Sequence, residues 1–522
     1  MPNALPTSLD FEIAVVGAGF SGIGVGIALD RAGITDYTIF EEGDGVGGTW
    51  YWNTYPGVAV DIPSFSYQFS FRQCSDWSRI YAPGAELRAY AENCVNEFDL
   101  RNRIRLNTRV IAARFDDDEH VWTITTAGGE SIVVRYLIDA TGFLSQPKQP
   151  DIPNVHTFGG QILHTARWDH TVNISGKRVG IIGTGASAVQ LIPEIASRVD
   201  YLTVFQRTPI WCLPKPDAAI DGMFAASLQH IPGIKMAVRA ASQAFVEATF
   251  PLLAHYANLL KPHRIGLWAG KAWLRSQVKD PETRTKLTPS YSPGCKRPSF
   301  HNGYLATFNR KNVTLETTSI GEISAAGIHT IDGVLHEIDI LILATGFKAF
   351  EPGNLPPFPI TGVGNVDLER WWTQNRYQAY EGVSVPGFPN LFMMFGPYGY
   401  NGSSYFTLVE NQARHIVRAL KAAGRLGATK VEISAAANAR YFAKALSKRD
   451  RQVFFRADCV KANSYYFDVH GDVPLRPGPT VESAWRAEHY DLNDYRFTTC
   501  LARLRPPDSL CSADTECQEG TH

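Results

Sequence analysis

One strand–turn–helix–strand design occurs twice in this chain, and it constrains the fold more than any other feature. Phe11 to Val16 is a short apolar, β-branched run leading into Gly17, Gly19 and Gly22 at G-x-G-x-x-G spacing, with Phe20 and Ser21 before the last glycine. A helical stretch to about Ala32 follows, then a strand from Tyr37 to Phe40 that ends in Glu41 and Glu42. In the second copy, Arg178 to Ile182 leads into Gly183, Thr184, Gly185, Ala186, Ser187 and Ala188, another helix, and the strand Tyr201 to Phe205. This order fits a dinucleotide site. The first glycine makes the tight turn, the second lets backbone approach a pyrophosphate, and the third lets the helix pack on the strand. The helix N-terminus then faces the phosphates.

The copies differ at the position that discriminates nucleotides. Glu41 stands 24 residues after Gly17, and Arg207 stands 24 residues after Gly183. A carboxylate accepts hydrogen bonds from ribose hydroxyls, whereas a guanidinium pairs with a 2′-phosphate. The first site therefore suits the AMP half of FAD and the second suits NADPH rather than NADH. A further repeat closes each unit: Tyr136 to Phe143 (YLIDATGF) in the first and Ile340 to Phe347 (ILILATGF) in the second. Two such units imply two dinucleotides with electron flow between them, as in a flavoprotein oxidoreductase that takes hydride from NADPH. The expected fold class is α/β, with two Rossmann-like dinucleotide-binding domains for FAD and NADP and a helical insertion.

Between the Pro-rich borders Leu213 to Asp217 and Thr288 to Gly294 the pattern turns helical, for example over Phe224 to Gln229 and over Lys235 to Leu260 with an interruption at Pro251. Near the end, Asn390 to Phe395 reads as a buried strand, followed by a glycine-rich turn and a helix from about Ser404, a geometry that suits a flavin edge. The resulting division gives residues 1–145 and 380–522 to FAD, 146–215 and 291–379 to NADP, and 216–290 to the insertion.

With 50 basic and 51 acidic residues the formal charge is −1, so no broad electrostatic footprint for nucleic acid or an anionic membrane exists. A hydrophobic content of 44% excludes a disordered chain. The longest uncharged run, Ile13 to Leu29, carries five glycines and lacks a basic leader, which argues against a signal peptide or membrane span and for the cytoplasm. Eight scattered cysteines without a C-x-x-C pair read as reduced intracellular thiols, with Cys511 and Cys517 the only close pair. No metal site is expected, and nothing in the sequence sets the oligomeric state.

The segment Gly47 to Gly57 joins a glycine pair to an aromatic cluster, as a flat cofactor needs, and places Gly48, Thr49 and Trp50 beside it. Tyr67 and Val110 complete the candidate cofactor-binding set. By itself Asp61 reads as a turn or cap residue. Lys296 and Arg297, where the insertion rejoins the second unit, fit phosphate ligands, transition-state stabilisers or a solvated hinge.

Phe158, Gly160, His164, Trp168 and Asp169 fill the pattern F-x-G-x-x-x-H-x-x-x-W-[PD], between the two glycine motifs. The chain here resembles the type I Baeyer–Villiger monooxygenases, as it does in Gly48 to Trp52, Phe205 to Pro209 and Cys295 to Arg297. The resemblance covers roughly Phe11 to Arg476. It implies an FAD-dependent monooxygenase that uses NADPH and O2 to form a C4a-peroxyflavin, which attacks a ketone; the Criegee adduct then rearranges to an ester or lactone. The related N- and S-oxidising flavin monooxygenases, the alternative reading, usually lack the Trp-Asp ending. The resemblance also implies that Arg297 stabilises the developing negative charge, that Asp61 pairs with Arg297, and that Lys296, Arg207 and Thr208 grip the 2′-phosphate. His164 and Trp168 then couple domain movements rather than touch substrate. The family often carries a tryptophan in a mobile loop; the comparable stretch here is Ser464 to Pro474, where Tyr465 stands nearest to that position.

Overall fold

The computed structural model describes residues 8–255 and 262–500. Phe11–Val16 and Tyr37–Phe40 lie parallel, and the buried run through Val16 and along Tyr37–Phe40 follows from a sheet covered on both faces. They belong to the first sheet, ordered Ile360–Thr361, Val110–Asp116, Val121–Thr126, Ser131–Asp139, Phe11–Val16, Tyr37–Phe40, Ile104–Arg105. Leu391–Met393 extends it by pairing in parallel with the end of Ser131–Asp139. Helix Phe20–Arg31 packs against helix Tyr405–Leu426, and a 2.7 Å hydrogen bond joins Ser21 Oγ and Tyr405 Oη. The turn after Leu391–Met393 and the helix capped at Ser404 thus stand beside the first glycine turn. Ile360–Thr361, within the range 291–379, pairs with the first sheet.

The second sheet has five parallel strands in the order Val313–Glu316, Tyr201–Phe205, Arg178–Ile182, Ile340–Leu343, Gln161–His164. Its helix Ala186–Ile195 presents Gln190 to the first unit: Gln190 Oε1 accepts from Tyr55 Oη at 2.9 Å, and its amide donates to the Ala59 carbonyl at 2.9 Å. Two chain crossings connect the units side by side, with Lys148 N donating to Gly346 O and Lys348 N to Gln146 O.

The insertion folds as helices Gly222–His230, Ile234–Ala248, Phe250–His255, Pro262–Gln277 and Pro281–Lys286. The expected break falls at Thr249, with Pro251 in the first turn of the next helix, where its missing N–H costs nothing. The expected helical stretch beyond His255 lies outside the described residues up to Pro262. Among the described residues the insertion has no separate core. Leu228, Val246 and Phe250 join the first unit's core, while Leu274, Val278 and Leu287 join the second's. Cys212–Leu213 pairs with Ser299–Phe300 to close its base. Among the described residues no helix is long and apolar enough to cross a membrane.

The reading of the cysteines as reduced thiols is corrected at one pair: Cys295 and Cys459 form a disulfide. They lie 164 residues apart, so no local spacing could signal the pairing. Cys74, Cys94, Cys212 and Cys500 are free, and Cys511 and Cys517 lie outside the described residues.

Candidate active site

A single cleft of about 360 Å3 runs from the first glycine turn to the loop bearing Arg297. At one end, Gly17 has φ +106, and a Cβ there would stand 2.7 Å from the Ala140 carbonyl oxygen. The second copy repeats this geometry: Gly183 has φ +115 and would meet Ala344 O at 2.4 Å. Gly22 is equally constrained, because its Cβ would lie 1.9 Å from Gly17 O, whereas the matching Ala188 is accommodated and buried. Gly19 and Gly48 face each other across the cleft wall, with Thr49 and Trp50 following. Trp50 donates its indole N–H to Tyr67 Oη at 3.1 Å, and Val110 is a buried part of the same wall.

Glu41 is 5% exposed, with one oxygen accepting from Ala18 N at 2.7 Å and the other from Gly43 N at 2.8 Å. Burial raises its pKa, partly opposed by those backbone donors. Each oxygen keeps a lone pair for further donors, so the carboxylate fits ribose hydroxyls at the cleft's end.

At the other end Arg297 lies 236 residues from Asp61 in sequence and forks onto it, Nε to Oδ2 at 2.8 Å and Nη2 to Oδ1 at 3.1 Å. Its third nitrogen donates to Tyr400 Oη at 3.2 Å, and the guanidinium lies 5.5 Å from the Phe250 ring centroid. Burial opposes its charge, but the Asp61 carboxylate, with Tyr400, Tyr466 and Tyr465 nearby, drives its pKa well above the ordinary value. Arg297 is therefore a permanent cation in the cleft wall. Tyr465 and Tyr466 complete that wall with their hydroxyls 3.1 Å apart.

The second glycine turn is open. A Cβ on Gly185 would meet no atom within 4 Å, and only Ala186 and Ser187 of that turn reach the cleft. Thr184 Oγ1 donates to Thr208 O at 3.0 Å, which fixes the end of the Tyr201–Phe205 strand. Beyond it stand Arg207 and Lys296. Burial and the neighbouring Arg207 charge depress the Lys296 pKa to about 8. Among the described residues neither cation has a carboxylate partner, so their chemistry fits a phosphate dianion. Asn463 stands against Arg207, and in the amide orientation that satisfies both groups its side-chain oxygen accepts from Nε at 2.9 Å.

The family described as pyridine nucleotide-disulphide oxidoreductase matches residues 14–248. A Baeyer–Villiger monooxygenase of Pseudomonas aeruginosa is 34% identical over 94% of this chain and 92% of its own. Among solved structures, OTEMO in complex with FAD and NADP is 30% identical with a TM-score of 0.83, covering 94% of this chain and all of that one. The closed form of cyclohexanone monooxygenase is 29% identical with a TM-score of 0.84 at the same coverage. The chain belongs to the Baeyer–Villiger monooxygenase family. It is an FAD- and NADPH-dependent enzyme with the expected α/β architecture.

In this monooxygenase the fingerprint sits at the junction of the units. His164 Nε2 lies 3.2 Å from Thr345 Oγ1 and 3.4 Å from Lys148 O, one on each crossing, while its Nδ1 accepts from Ala166 N at 3.0 Å. Burial lowers its pKa, which favours the neutral ring. Trp168 packs on the second unit's core, and Asp169 caps a turn by accepting from Thr171 N at 2.8 Å. Arg167, between them, lies 4.0 Å from the Trp52 ring and lines the cleft.

The first glycine turn, Glu41, Gly48 to Trp50, Tyr67, Asp61, Arg297 and Tyr465 are thus brought to one cleft, apart from the buried packing residue Gly22. Gly183, Thr184, Gly185, Arg207, Thr208 and Lys296 lie outside its lining. Sequence reasoning missed Tyr466, Asn463 and Phe250. Tyr466 directly follows Tyr465, and that doubled aromatic is the signal that marks it; Asn463 and Phe250 carry no local signal.

Proposed function

We propose that the Arg297–Asp61 fork is the catalytic centre for inserting oxygen beside a ketone carbonyl to give an ester or lactone. Bound FAD, reduced by NADPH, supplies the activated oxygen from O2. The reading rests on one observation: a permanently charged guanidinium, gripped at two nitrogens, stands in the wall of the cleft that begins at the first glycine turn. A fixed cation near developing oxyanion charge lowers the barrier without reorganising during the reaction. Asp61 orients the planar fork, and Tyr400 occupies a third direction, which leaves the charge fixed in place. Phe250 and Tyr466, both buried, give the guanidinium an apolar backing that strengthens its field in the cleft.

The same reading gives Glu41, the Gly17 turn, Gly48 to Trp50, Tyr67 and Val110 to FAD. It gives Gly183 to Ser187, Arg207, Thr208, Lys296 and Tyr465 to NADPH. We divide the chain at 145, 215, 290 and 379; the two separate sheets support this division, and the pairing of Ile360–Thr361 with the first sheet runs against it within 291–379. An enzyme consuming NADPH is served best in the cytoplasm, where we place it. Its test is product analysis of the purified yellow protein with NADPH, O2 and a panel of ketones with matched sulfides. Esters or lactones are expected; sulfoxide as the sole product would assign the chain to heteroatom oxidation instead.

A further inference from the structure

We infer that the Cys295–Cys459 disulfide is a positioning clasp, holding the loop of Lys296 and Arg297 to the loop of Asn463, Tyr465 and Tyr466. Cys295 directly precedes the two cations, in a stretch without regular structure between helix Pro281–Lys286 and strand Ser299–Phe300. Cys459 lies in a short 3-10 turn, Ala457–Ala462, and Asn463 follows at φ 50. Neither loop is built into a sheet or a long helix, so nothing regular fixes their separation. The disulfide does, with Cα atoms 5.0 Å apart, and Ser292 Oγ adds a hydrogen bond to Asp458 beside it. Both cysteines are buried, at 0% and 1% exposure, which shields the bond from soluble thiols.

The clasp acts through residues on both sides of it. Asn463 stands against the Arg207 guanidinium with its amide oriented to accept from it, Lys296 feels the Arg207 charge, and Tyr465 and Tyr466 stand beside Arg297. One covalent link therefore ties the cations proposed for the 2′-phosphate and the cation proposed for the oxyanion into one frame. A tether of this kind replaces a connection of 164 residues by one bond and so raises the effective concentration of each loop at the other. Without it, Asn463 and the tyrosines leave the frame part of the time, and a ligand that needs the docked loop binds in proportion to its population. The doubled aromatic Tyr465 and Tyr466 marks this loop in the sequence, and the clasp supplies what holds it.

This inference rests on the proposed roles of Arg207, Lys296 and Arg297, and its test reads binding separately from chemistry. Peptide mapping of the holoenzyme under non-reducing conditions is expected to give the 295–459 linked peptide. In Cys459→Ser, flavin content and the maximal rate of flavin reduction should stay unchanged. The Kd for NADP+ and the KM for NADPH should rise about tenfold, and a larger share of NADPH electrons should end as hydrogen peroxide. The pair Cys295→Ser/Cys459→Ser should match the single variant, since one bond is lost in both. Cys74→Ser is the control and should behave as wild type. Absence of the linked peptide, or an unchanged NADP+ Kd in a folded, yellow Cys459→Ser protein, overturns the clasp. A wild-type enzyme that forms no ester, together with the Kd shift in Cys459→Ser, would keep the clasp and remove the proposed chemistry.

Discussion

The proposed contact of Lys296 with the 2′-phosphate predicts a pH dependence of NADPH binding that can be worked out in advance. Its pKa is lowered to about 8, first by burial and then by the Arg207 charge. A phosphate dianion placed beside it favours the ammonium form, so the pKa rises on binding and binding takes up a proton. The sign follows: affinity is full below pH 8 and falls as the pH rises through it, until the pKa of the complex is reached. The unbound amine is about nine-tenths protonated at pH 7 and about one-tenth at pH 9, so Kd rises roughly tenfold between them, about 1.4 kcal/mol. The 2′-phosphate is itself a dianion over most of this range, with a second pKa near ~6, and adds little slope above neutrality. Isothermal titration of the holoenzyme with NADP+ at constant ionic strength measures the curve. Lys296→Arg should flatten it, because a guanidinium does not titrate there, and NAD+ should lack it. A tenfold rise that persists in Lys296→Arg, or a flat wild-type curve, refutes the assignment of Lys296 to the phosphate.

Four substitutions test the other parts of the site. Gly17→Ala and Gly183→Ala each force a side chain onto a positive-φ backbone against a carbonyl, at a cost of about 1–3 kcal/mol. The first should yield colourless protein, and the second should stay yellow with a raised KM for NADPH; absorbance of the purified proteins separates them. Asp61→Asn frees the Arg297 fork and should slow ester formation by on the order of 10²-fold with flavin content unchanged, measured by product chromatography. His164→Ala breaks the contacts to both crossings, and with about 1–3 kcal/mol per unsatisfied group, turnover should fall on the order of tenfold while FAD stays bound. Stopped-flow absorbance of the flavin follows that change.

The parts of the site written into local sequence were legible, and the parts made by distant contacts were not. Gly17, Glu41 and their counterparts Gly183 and Arg207 follow from a fixed register along one strand–helix–strand unit, where spacing dictates geometry. The fork between Asp61 and Arg297 spans 236 residues, and only family resemblance pointed to it; residue type alone made Asp61 a turn residue. Asn463, Phe250 and the Cys295–Cys459 bond have the same origin, each joining segments with no shared periodicity. The insertion was visible as a helical stretch between prolines. Its division between two cores was not, because helix amphipathicity marks a buried face without saying which neighbour covers it.

The central claim is that Arg297 acts on the oxygen-insertion step and not on flavin reduction. Arg297→Ala, loaded with FAD, is mixed with NADPH under anaerobic conditions, and flavin bleaching is followed before air and a ketone are admitted. Flavin reduction should proceed at close to the wild-type rate, and ester yield should drop by at least ~10²–10³-fold. An Arg297→Ala enzyme that still forms ester at the wild-type rate would contradict the account.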